Sequence, residues 1–84
     1  MEQLPNPLGK ARARLRTWGE ARLALLRERG VSLTDVAHNV AKDVSFVSRV
    51  NRGQRRSQVI EQEIARRLGL SEEDAFPERH PRQS

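Results

Sequence analysis

SLTDVAHNVAKDVSFVSRVNRGQRR, residues 32–56, is the stretch that decides how this chain folds. It opens on Ser-Leu-Thr-Asp, a capping-box pattern. Ser32 can accept from the amide of Asp35 while the Asp35 carboxylate reaches back to the amide of Ser32. Val36, Ala37 and Val40 follow at helical spacing and are expected to share a buried face. Ala41, Lys42 and Asp43 are too few for a wandering loop. They read as the turn of a helix-turn-helix, in which two helices cross at roughly 90–120°. Ala41 is expected at the close approach of the two helices, where a small side chain is needed. Asp43 is a suitable N-cap for a second helix running from about Val44 to Asn51 or Arg52. Gly53 closes that helix, because glycine adopts the left-handed backbone that follows a helix end.

The second helix divides into two faces. Val47 and Val50, with Asn51 beside them, should look toward the first helix. Val44, Ser45, Ser48, Arg49 and Arg52 fall on the other side. That side is small, polar and basic, as a helix entering a DNA major groove requires. Val44, Ser45, Ser48 and Arg49 are the expected base-reading residues. Arg49 can donate twice to a guanine edge, the serines can serve either kind of base, and Val44 can touch a thymine methyl. Arg52, Arg55 and Arg56 crowd the end of the helix where phosphates would pass. A short amphipathic helix with serine and arginine outside is common in any helical domain. The weight therefore rests on the combination of capping box, short turn, capped second helix, closing glycine and arginine run.

Those residues resemble the lambda-repressor-like helix-turn-helix family, the Cro and repressor class of phage and bacterial regulators. The matching positions are Ser32, Val36-Ala37, Val40-Ala41, Ser45, Val47-Ser48-Arg49-Val50 and Arg52-Gly53. The family usually carries Leu-Ala where this chain has Val36-Ala37, Gly at Ala41, an apolar residue at Lys42 and often Glu at Asn51. The resemblance runs from about Trp18 to Phe76. The ending LGLSEEDAFPER, residues 68–79, is similar to the short Ner-type phage regulators. The elements read along the chain make an all-α bundle of about five short helices, and the resemblance implies a lambda-repressor-like fold containing a helix-turn-helix. It also implies an operator-binding regulator that works as a symmetric pair on half-sites roughly 34 Å apart.

At 84 residues the chain is sized for one domain with a small core. It has no cysteine, hence neither a disulfide framework nor a cysteine zinc site. No apolar run is long enough for a membrane span and no secretory signal is visible, so a cytoplasmic setting is expected. The net charge is +5. Residues 1–31 carry seven basic and three acidic side chains, residues 32–57 five and two, and residues 58–84 four and six. Positive charge thus gathers on and before the proposed reading unit, an electrostatic footprint of nucleic-acid binding. A basic surface also aids solubility, so charge by itself does not decide between the two.

Working outward toward the N-terminus, residues 1–16 are expected to be a flexible basic arm, with Pro5, Pro7 and Gly9 keeping its start loose. Lys10, Arg12, Arg14 and Arg16 place a charge at every second position. As an extended arm they can follow phosphates or enter a minor groove. From Thr17 to Arg29 the pattern reads as the first core helix, with an earlier beginning near Ala11 left open and with Leu15, Trp18, Ala21, Leu25 and Leu26 inward. Arg22, Arg27 and Arg29 are expected to point outward, and Gly30 ends the helix.

Toward the C-terminus, Ser57 is an N-cap for a helix from Gln58 to Leu68. Ile60, Ile64, Ala65 and Leu68 form its buried face, Val59 lies at the margin, and Glu63 and Arg67 pair at i, i+4. Ser71 starts a short helix reaching Ala75 or Phe76, which Pro77 stops. Residues 17–77 are therefore the expected domain and residues 78–84 a loose tail.

The sequence offers little for catalysis. His38 and His80 stand apart from each other and from any paired carboxylate, and no phosphate-cradling glycine loop or nucleophile motif is present. No enzyme activity, metal, cofactor or small-molecule ligand is expected. The expected partners are double-stranded operator DNA and a second copy of the chain, in a weak dimer or one formed on DNA. Ser32, Leu33, Thr34 and Lys42 join Arg52, Arg55 and Arg56 as expected backbone contacts, since helix-starting amides near Leu33, Thr34 and Val44 can donate to phosphates. Two other readings keep the fold: an antitoxin-like interaction module that represses its own operon, and an architectural or recombination-accessory DNA binder.

Overall fold

Each helix of the chain starts at a residue suited to capping it. The computed structural model describes residues 6–79, and all its regular elements are helical: α1 Pro7–Arg14, α2 Trp18–Glu28, α3 Leu33–Val40, α4 Val44–Asn51, α5 Gln58–Leu68 and α6 Glu72–Ala75. At α3 the capping box is complete. Ser32 Oγ accepts from the Asp35 amide at 3.1 Å, and the Ser32 amide donates to Asp35 Oδ2 at 2.9 Å. Thr17, Ser57 and Ser71 cap α2, α5 and α6 by accepting from the third amide ahead. Asn6 caps α1 by accepting from Leu8 N at 2.8 Å. Side-chain caps of this kind satisfy amides that have no partner within the helix.

The expected faces supply the core. α2 contributes Ala21, Leu25 and Leu26; α3 Val36 and Ala37; α4 Val47 and Val50; α5 Ile60, Ile64, Ala65 and Leu68; and Ala75 and Phe76 close it from the C-terminal side. Trp18, Leu15, Val40 and Leu70 pack against that core half-buried. α3 packs on both α4 and α5, and α4 also meets α2 and α5. None of the described helices is long and apolar enough to cross a membrane.

Four expectations are corrected. Residues 7–14 are not a flexible arm but α1, which packs along α2 with Leu8 fully buried. Pro7 sits at the start of the helix, where its missing N–H has no intrahelical partner to lose. The bundle accordingly has six described helices rather than about five. Residues 1–5 and 80–84 of the expected arm and tail lie outside the described residues.

Arg22 does not point outward. It is fully buried. Its guanidinium donates from Nε to Asn51 Oδ1 at 3.2 Å, from Nη1 to Ala75 O at 2.8 Å and Glu78 Oε1 at 3.0 Å, and from Nη2 to Glu78 Oε2 at 2.7 Å and to Asn51 O. Those bonds occupy all five N–H groups of the side chain. The guanidinium carbon also stands 3.9 Å from the centre of the Phe76 ring. Buried charge is tolerated only when it is paired and hydrogen-bonded in this way. Arg22 lies one turn from both Trp18 and Leu26, so its phase on α2 had already put it on the apolar side.

Glu78 and Arg79 are consequently not part of a loose tail. Glu78 pairs with Arg22, while Arg79 Nη2 donates to the Arg55 carbonyl at 2.6 Å and its Nε stands 3.6 Å from Glu61 Oε2.

Ala41, finally, is exposed and has left-handed backbone, φ 56° and ψ 45°. It lies in the turn and not at a helix crossing, and its Cβ is strained there because a Cβ in that backbone region crowds the following carbonyl. The close approach is made elsewhere. A Cβ on Gly19 would stand 3.0 Å from the Asn51 carbonyl oxygen and 3.2 Å from Arg52 Cα, so a side chain at residue 19 would press the end of α4 away from α2 by a few tenths of an ångström.

Candidate nucleic-acid interface

The two-faced pattern of α4 sorts its side chains as follows. Val47 and Val50 are fully buried and Asn51 nearly so. Val44, Ser45, Arg49 and Arg52 are exposed, Val44 at 42%. A single exposed valine is ordinary on a protein surface, so what Val44 contributes is its place beside Ser45 on the outer side of α4. Ser48 is only half-buried on the same side, which leaves it less of its surface than Ser45 or Arg49.

The cations stand around that face. Lys42, Arg49, Arg52, Arg55 and Arg56 are all exposed. Among the described residues no carboxylate pairs with any of them. The Arg55 guanidinium carbon lies 5.4 Å from the Phe46 ring centre, so an aromatic side chain of α4 steadies one of these arginines. Phe46 went unremarked in the sequence, although it is the one aromatic residue of α4.

Asp43 stands at the N-cap of α4 as expected but makes no side-chain bond to the helix amides. Its Oδ2 instead accepts the hydroxyl proton of Ser45, at 2.5 Å. Ser45 is thus brought into the candidate site with its donor already committed. Asp43 was expected as a cap alone; its place two residues before Ser45 was the available signal.

At the start of α3 the Ser32 amide is spent on the capping box, while its hydroxyl oxygen only accepts there and keeps its proton free to donate. The amides of Leu33 and Thr34 follow it. The Ser32 amide hydrogen bond, more than the Ser32 hydroxyl, holds the Asp35 carboxyl below its ordinary range against slight desolvation.

Lys10, Arg12, Arg14 and Arg16 are not brought together with α4 as an extended arm. Lys10 and Arg14 are exposed on α1 and, with Pro7, Leu15 and Leu25, edge a groove between α1 and α2. Arg12 is half-buried, donates to the Leu15 carbonyl at 3.1 Å and lies 5.5 Å from the Trp18 ring centre, a structural placement. Arg16 is exposed after the helix end. Comparison with protein-family models, curated proteins and solved structures found no match to this chain.

Proposed function

We propose that this chain is a sequence-specific, double-stranded DNA-binding regulator of the phage or prophage repressor type. In this reading α3 and α4 act as the helix-turn-helix, α4 lies in the major groove of an operator, and the bound protein blocks polymerase sterically. The carrying observation is the division of α4. Val47 and Val50 are fully buried, whereas Val44, Ser45 and Arg49 are exposed, together with cations at 42, 52, 55 and 56 that pair with no carboxylate among the described residues. Arg49 is the guanine reader, Val44 meets a thymine methyl, and Lys42, Arg52, Arg55 and Arg56 hold phosphates.

The working form is a pair of chains assembled on DNA, and the site of action is the cytoplasm, where operator DNA is found. The test is a selection from random duplex DNA at near-physiological salt. Enrichment of a palindrome whose half-sites lie about one turn apart supports the reading. Binding that enriches no sequence and vanishes as salt rises overturns it.

A further inference from the structure

We infer that Asp43 and Ser45 form a base-reading pair that selects cytosine at the leading end of α4. The inference rests on the DNA-binding reading above and assigns Asp43 a role beyond helix capping.

Aspartate at an N-cap ordinarily accepts from the first helix amides. Asp43 makes no such bond, so capping does not account for its carboxylate. That carboxylate holds the Ser45 hydroxyl at 2.5 Å, a charge-assisted contact. The single hydroxyl proton of Ser45 is consumed by it. What remains on both side chains is lone pairs, and both residues are exposed at the start of the helix. The pair is an acceptor with no donor to offer.

Among the four bases, cytosine alone shows a lone amine on its major-groove edge. Guanine and thymine present acceptors there, and adenine sets an acceptor beside its amine. A carboxylate brought near the phosphate chain is also repelled unless a donor meets it, so sequences lacking that amine are penalised as well as unrewarded. Four residues after Ser45 on the same face comes Arg49, which can only donate and so takes guanine. α4 therefore presents acceptors at its start and donors one turn later. Lys42 and Arg49 are exposed and do not pair with that carboxylate.

The test compares the full chain with Asp43→Asn and Ser45→Ala in the same random-duplex selection, followed by titration of defined duplexes. Both positions are exposed, and circular dichroism checks that each variant is folded. The unaltered chain is expected to lose roughly tenfold in affinity when the selected cytosine becomes thymine. Asparagine offers a donor beside an acceptor, so Asp43→Asn is expected to move the preference at that one position from cytosine to adenine. Ser45→Ala should weaken discrimination at the same position and leave the guanine position unchanged. If Asp43→Asn raises affinity for all duplexes alike and keeps the motif, the base-reading role is wrong while the DNA-binding reading stands. If the unaltered chain enriches no motif, both fall together.

Discussion

The guanidinium of Arg22 holds both the side-chain oxygen and the main-chain carbonyl of Asn51, the last residue of α4. Asn51 in turn donates from Nδ2 to the Gly19 carbonyl at 3.2 Å. One buried cation therefore ties the end of α4 to α2, and through Ala75 and Glu78 to the C-terminal turn. The position of the proposed reading helix is set at its far end by that network.

Truncating Arg22 should be among the most damaging single changes in the chain. Arg22→Ala leaves the Glu78 carboxylate, the Asn51 oxygens and the Ala75 carbonyl without their donor, and should cost about 3–5 kcal/mol. Urea unfolding of the variant against the unaltered chain checks this. A loss under about 1 kcal/mol would mean that water replaces the guanidinium without penalty.

Ala41 adopts left-handed backbone at φ 56°. Ala41→Gly should relieve that strain and stabilise the fold by up to about 1 kcal/mol, the relief being partly offset by the greater freedom of glycine in the unfolded chain. The midpoint of thermal unfolding should rise. A fall would show that the turn tolerates alanine at no cost.

Glu63 should govern part of the acid sensitivity. Partial burial pushes its carboxyl up, but hydrogen bonds from Arg67, Asn39 and Arg66 outweigh it and hold the pKa near about 2 against an ordinary 4.5. The folded state thus binds this proton less readily than the unfolded chain. The resulting stability is fully present above pH 4.5 and is lost as pH falls through about 2. Arg66 is 65% exposed, so screening reduces the contribution to about 1–2 kcal/mol. Glu63→Gln should lower stability at pH 7 and flatten its fall between pH 5 and pH 2, read by urea midpoints across that range. An unchanged slope would remove Glu63 from the account.

Arg49 and Arg56 should separate by the kind of contact they make. In the proposed complex Arg49→Ala costs about 1–3 kcal/mol and relaxes preference at one base, while Arg56→Ala weakens every duplex alike and lowers the salt slope by about 1. Binding titrations at several salt concentrations distinguish the two. Equal, sequence-blind losses would sink the assigned roles.

Much of this architecture follows from the sequence by itself. The capping box at Ser32, the cap at Ser57 and the glycines at 53 and 69 bound their helices because such signals act within one turn. The buried faces of α3, α4 and α5 follow from apolar spacing for the same local reason. Tertiary structure decided the rest. Asn6 and Pro7 are local signals for the start of α1, but the burial of Leu8 depends on α2 lying beneath it, which residues 1–16 do not record. Arg22 looked like a solvated arginine because burying a guanidinium is prohibitive unless acceptors converge on it. Those acceptors come from Asn51, Ala75 and Glu78, which lie 29, 53 and 56 residues further along the chain. Whether a charge is desolvated depends on what the folded chain gathers around it, and a local sequence pattern does not contain that sum.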